Sequence, residues 1–284
     1  MPVEPPVASP RSLADAYSLL AEMPHRPVAG GTDLLVQITG ELGDPPERVL
    51  DIWHLDELRG IRMESNELVI GALTTYAEIR GSPIIAEFLP AFAEAAATIG
   101  AAQIQNRGTI GGNAMNASPA GDMLPLLLAC DAQLIAGTAA RERSIPAHDF
   151  WPAYRRTALE ATELLLRISI PLPAGRQLRY RKVGTRRAQA ISKVVMALSW
   201  HAEGESAWRN VHLALGSVAP TPVRVPATEG VLEGAEPTEA TADRAASTLA
   251  GELSPIDDVR SSADYRRAVA ARVLHRLLRD EGGW

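Results

Sequence analysis

Residues 100–122 read GAAQIQNRGTIGGNAMNASPAGD. The stretch is rich in Gly, Ala, Asn and Ser and almost without charge. It is too apolar for a disordered linker and too rich in glycine for a regular helix. It predicts a tightly packed loop that another group approaches closely, because glycine puts no Cβ in the way. Inside it, Thr109-Ile110-Gly111-Gly112-Asn113 sets a glycine pair between a β-branched pair and an amide. Upstream, Pro27-Val28-Ala29-Gly30-Gly31-Thr32-Asp33-Leu34 repeats the device after a strand-like run. Adjacent glycines let successive backbone N–H groups turn inward and form an anion-binding nest. Two nests roughly 80 residues apart suit the two phosphates of one dinucleotide, and two unrelated turns are the alternative. Neither follows the G-x-G-x-x-G spacing, which disfavours a Rossmann site.

Ser118-Pro119-Ala120-Gly121-Asp122 precedes an apolar helical run. Ser118 can cap that helix with Pro119 in its first turn. Asp122 then has two readings: a capping acid, or a carboxylate accepting hydrogen bonds from ligand hydroxyls. Further out, the spacing predicts helices over 12–23, after Thr74-Thr75, over 84–99, over 238–250 and over 262–279. RVLDIW (48–53), ELVIGAL (67–73) and ELLLRISIPLP (163–173) read as strands. Composition shifts near residue 175, and residues 176–187 gather six basic side chains. That cluster is either a solvated edge or positive charge for an anionic ligand. Strands and helices interleave unevenly, which predicts a mixed architecture rather than a doubly wound sheet.

A chain of 284 residues, 46% hydrophobic, has room for two domains. A net charge of -6 argues against nucleic acid as the main partner. The single cysteine, Cys130, lies in LLLACDA and reads as a core thiol. It rules out an internal disulfide and an iron–sulfur cluster, which takes about four cysteine ligands. The histidines are scattered without metal-ligand spacing, so no metal site is expected. There is no nucleophile elbow and no Walker A loop, and no catalytic residue is assigned. Apolar runs such as 123–130 fall far short of the ~18 residues of a membrane span. No secretory signal is read at the start, and a cytoplasmic protein is expected.

Five blocks in order, VAGGTDLL (28–35), NRGTIGGNAMNASPAGD (106–122), ELLLRISIP (163–171), YRKVGTRRAQAISKV (180–194) and GSVAPTPVR (216–224), carry a resemblance. The chain resembles the medium, FAD-binding subunit of the xanthine dehydrogenase and carbon monoxide dehydrogenase family of molybdenum hydroxylases, from about residue 10 to about residue 280. The resemblance implies an α+β fold. A two-subdomain flavin-binding domain of the vanillyl-alcohol-oxidase-like (PCMH) type would fill 1–175, divided into about 1–57 and 58–175. A small antiparallel sheet with helices, of the CO dehydrogenase flavoprotein type, would fill 176–284.

It further implies non-covalent FAD, with Pro27 to Leu34 and Thr109 to Asn113 as diphosphate loops and Asp122 on the cofactor's polar chain. Leu165, Lys182 and Ile191 would lie near the flavin. Ile99 stands where some relatives place an aromatic against adenine, so weaker or differently posed adenine binding is expected. The molybdenum cofactor would sit on a large molybdopterin-binding partner and two [2Fe-2S] clusters on a small one. Electrons would leave to NAD+, oxygen or another acceptor. Two other readings stand beside it: a self-sufficient flavin oxidase or dehydrogenase of the same superfamily, and a non-catalytic nucleotide-binding scaffold.

Overall fold

The computed structural model describes residues 5–40, 44–186, 189–203 and 207–284. Its first unit runs β1 (Val7–Ala8), α1 (Leu13–Glu22), β2 (Arg26–Val28), α2 (Leu34–Thr39) and β3 (Val49–Asp51). The three strands are parallel in the order β1-β3-β2. Ser12 caps α1 by accepting the Asp15 N–H. Ala16 and Leu20, one turn apart, then bury against Leu50, Leu55 and Leu58. β2 is an edge strand, and the chain leaves it straight into the Gly30-Gly31 turn.

The second unit holds β4 (Ile61–Glu64), β5 (Glu67–Gly71), α3 (Tyr76–Gly81), α4 (Pro83–Phe88), α5 (Pro90–Thr98), α6 (Ala102–Gln105), α7 (Ile110–Asn116), α8 (Leu124–Ala129), β6 (Gln133–Gly137), β7 (Glu142–Pro146), α9 (Ala147–Phe150) and β8 (Leu164–Pro171). Its sheet is antiparallel in the order β4-β5-β8-β6-β7. Thr75 forms a capping box with Glu78 that starts α3. The helix predicted over 84–99 is two helices: Pro90 cannot donate an N–H, so the chain breaks at Leu89.

The third unit is β9 (Arg176–Val183), β10 (Val194–Glu203), β11 (Ala207–Gly216), β12 (Val223–Arg224), α10 (Pro226–Leu232), α11 (Glu239–Glu252) and α12 (Ala263–Gly282). Its antiparallel sheet has the order β12-β11-β10-β9. Alternation along β10 sorts two cores. Val195 and Ala197 join the main core with Phe92, Leu126 and Ile168. Met196, Leu198 and Trp200 join a separate core with Leu249 and Leu274 of the terminal helices. The sheet therefore presses one face on the second unit.

Two sequence expectations are corrected. Residues 100–122 are not a single loop, because α6 and α7 lie inside them. Tertiary packing overrides the poor helix propensity of glycine here: a Cβ on Gly111 would lie 2.5 Å from the Ala72 carbonyl oxygen. The helix after the Ser118 to Asp122 turn begins at Leu124 with Pro125 in its first turn, so Ser118, Pro119 and Asp122 do not start it.

Candidate functional site

Two glycine motifs far apart in sequence touch in space. A Cβ on Gly30 would fall 1.7 Å from the Arg107 carbonyl oxygen, so only glycine lets the first loop rest on the approach to the second. Gly31 takes a φ of 74°, the left-handed region that favours glycine. Both loops border a narrow cavity of about 150 Å³, lined by Pro27 to Leu34, Thr109, Gly111, Gly112, Asn113 and Leu165. Thr32, Asp33, Tyr76, Asn113 and Asn116 also line a wider cavity of about 890 Å³. The wider one reaches Ile99, Asp122, Lys182 and Ile191. The two join into one groove of the size that takes a cofactor.

The motifs differ in what they offer. Among the described residues, the backbone N–H groups of Ala29, Gly30, Gly31, Thr32 and Asp33 donate to no protein acceptor. Successive free donors of this kind can make an anion-binding nest. The second motif is not a second set of free donors. Ile110 donates to Thr74, Gly111 to Ala72, and Asn113 to Thr109. The Gly112 N–H goes to the Thr109 hydroxyl at 2.9 Å, capping α7. What this motif presents instead is side chain: the Asn113 Oδ1 is buried with no partner among the described residues. Asn113 itself lines both cavities. Ile110 lines neither cavity, and its side chain is fully buried in the main core. Leu165 belongs to that core too but edges the narrow cavity.

Deeper in the wide cavity, Lys182 Nζ donates to Asp122 Oδ2 at 2.6 Å and to the Thr98 carbonyl at 3.2 Å. Both side chains are almost wholly buried. Ser192 Oγ donates to the other carboxylate oxygen. Burial pushes the Asp122 carboxyl above its ordinary range, against the pull of Lys182 and Ser192. Lys182 arrives there because β9 alternates. Tyr180 is turned to the main core, while Arg179 on the other face pairs with Glu281. The basic cluster of 176–187 is thus dispersed rather than one edge: Arg176 bonds the Cys130 and Pro171 carbonyls, and Arg187 lies outside the described residues.

Ile99 ends α5, where Gln105 Nε2 holds its carbonyl at 3.1 Å. Ile191, in the β9–β10 loop, is 55% exposed on the cavity. Sequence reasoning missed Tyr76, Asn116, Ser192 and Arg266, all of which line the groove. Asn116 joins Asp33 (3.0 Å) to Arg155 (3.1 Å). Cys130 is a buried thiol pushed up to about 12 by desolvation. Among the described residues no cluster of metal-ligating side chains occurs, and no helix is long and apolar enough to cross a membrane.

Residues 3–173 match the family described as FAD binding domain in molybdopterin dehydrogenase. Residues 179–280 match the CO dehydrogenase flavoprotein C-terminal domain. The carbon monoxide dehydrogenase medium chain of Hydrogenophaga pseudoflava is 33% identical over 276 residues, covering 95% of this chain and 94% of that one. The nicotinate dehydrogenase FAD-subunit of Eubacterium barkeri is 32% identical, covering 97% of each. A solved carbon monoxide dehydrogenase chain from Hydrogenophaga pseudoflava superposes with a TM-score of 0.92 at 32% identity, over 97% of this chain and 96% of the other. The fold is accordingly the PCMH-type FAD-binding domain followed by the flavoprotein C-terminal domain. The chain belongs to the family of FAD-binding medium subunits of molybdenum hydroxylases, the family of carbon monoxide and xanthine dehydrogenases.

Proposed function

We propose that this chain holds one FAD along the joined groove and serves as the electron-transferring flavoprotein of a three-subunit molybdenum hydroxylase. Electrons come from [2Fe-2S] clusters on a small partner and leave to NAD+, oxygen or another acceptor. The molybdenum cofactor belongs to a large molybdopterin-binding partner. A lone buried cysteine fits a cytoplasmic setting and leaves the clusters to another chain. The observation that carries the reading is the run of five free backbone N–H groups, Ala29 to Asp33, opening on the groove that ends at Asp122 and Lys182.

Bound FAD supplies the redox chemistry. The chain's own residues supply position and charge. The free N–H groups of the first loop bind the diphosphate, and Thr109 and Asn113 close on it from the other side. Asp122 accepts hydrogen bonds from the hydroxyls of the cofactor's polar chain. Lys182 sets its Nζ in a desolvated place beside Asp122, where positive charge would favour the electron-rich form of the cofactor. Leu165 and Ile191 give apolar walls, and Ile99 gives adenine an apolar contact only. None of these side chains is assigned proton transfer, and the substrate is bound elsewhere.

The test is anaerobic. The FAD-loaded chain should stay oxidised with purines, aldehydes, small alcohols and N-heteroaromatic acids, and bleach near ~450 nm with a one-electron donor. Reoxidation rates with NAD+ and with oxygen then sort the acceptor. Rapid bleaching by a small substrate alone would establish the self-sufficient oxidase instead.

A further inference from the structure

The SPAGD turn and the GSVAP segment are about a hundred residues apart in sequence, yet they share a backbone bond. The Ser217 N–H donates to the Pro119 carbonyl at 2.8 Å. Ser217 holds a φ of 66°, a strained conformation for a residue with a side chain, so the surrounding bonds must over-determine it. Its hydroxyl donates to the Ser192 carbonyl at 2.8 Å, and Ser192 Oγ donates in turn to Asp122. Its own carbonyl accepts from Arg266 Nη1 at 2.6 Å. Arg266 is 4% exposed, at the start of α12, and its other terminal nitrogen donates to Asp258 Oδ1 at 2.7 Å. Asp258 also accepts the N–H groups of Arg260 and Ser261. Burial raises the Asp258 carboxyl, but these bonds hold it below its ordinary range, so it stays ionised opposite Arg266.

A buried guanidinium is costly unless its partners are fixed, and this one lines the wide cavity with its terminal nitrogens held by the Ser217 carbonyl and Asp258. We propose that Arg266, acting through Ser217 and Ser192, is a positioning residue for FAD. It clamps the third unit's loops so that Ser192 holds the Asp122 carboxylate, and Asp122 holds Lys182, in the orientation the cofactor needs. The proposal rests on the FAD reading of the groove. It gives the C-terminal domain a role in cofactor binding beyond contributing Lys182.

A set of variants tests it, each read by FAD dissociation constant, the bound-flavin absorption spectrum, flavin midpoint potential and thermal melt. Asp122→Asn probes the site itself. Ser192→Ala and Arg266→Met probe the clamp. Arg267→Met, on the same helix but paired at the surface with Asp264, is the control. We expect Ser192→Ala and Arg266→Met each to weaken FAD about tenfold or more and to shift both spectrum and potential, with Arg267→Met unchanged. In the double variant the losses should not add, since the residues form one chain. Arg266→Lys should recover part of the binding. If Arg266→Met fails to fold, Ser192→Ala and Ser217→Ala carry the decision. Wild-type affinity, spectrum and potential in these variants, with Asp122→Asn impaired, would overturn the clamp alone. Undiminished binding in Asp122→Asn would overturn the site reading beneath it.

Discussion

Gly111 and Gly112 stand side by side in one sequence motif but do different jobs. A side chain at Gly111 drives into the backbone of Ala72, so its glycine is a packing requirement. At Gly112 the near atom outside the helix's own backbone is the Thr109 hydroxyl, 2.9 Å away, a side-chain oxygen rather than backbone. Gly111→Ala should therefore cost roughly 1–3 kcal/mol of stability as an overpacking change. Gly112→Ala should melt closer to wild type and lose more FAD affinity than stability. Equal melting losses in the two would contradict this division. The motif was legible as an adjacent glycine pair; the Ala72 backbone that requires the first of them was not. Gly30 is excluded by the Arg107 carbonyl, a contact between segments with no local sequence link. Arg266 is a further case. In a chain that uses arginine nearly everywhere a cation is wanted, nothing in the pattern separates the buried Arg266 from its exposed neighbours.

Elements with strong periodicity or caps were readable: α1 with Ser12, α3 with its capping box, and the apolar strand β8. α7 was not, because its stability comes from docking on Ala72 rather than from its composition. β7 was also unread, since alternating charge in ERSIP hides a half-exposed edge strand. An ion pair fastens that edge. Arg143 on β7 grips Glu163, just before β8, with bonds of 2.6 and 2.7 Å. The guanidinium holds the Glu163 carboxyl below its ordinary 4.5. A depressed folded pKa means stability that is present above the unfolded value and lost as pH falls through the folded one. Glu163→Gln should cost about 2 kcal/mol at pH 7, with the gap to wild type closing as pH drops below about 4.5. Urea melts across that range check it, and a gap that does not change with pH would contradict it.

At the scale of the molecule, the main core ignores the composition shift near residue 175. Tyr180, Val195, Ala197 and Ala214 complete a core otherwise built from residues 68–170. The groove is shared in the same way, with the first loop in one unit, Asp122 in the second, and Lys182 and Ser192 in the third. Residues 1–175 expressed alone should thus lack a cooperative melt and bind no FAD. A fragment melting like the full chain would show that the third unit only decorates the core. A crystal structure of the full chain with FAD tests the central claim most directly. The diphosphate should lie against the N–H groups of Ala29 to Asp33, opposite Thr109 and Asn113, with the polar chain on Asp122. A diphosphate bound away from the first loop, with those N–H groups turned to solvent, would contradict the account.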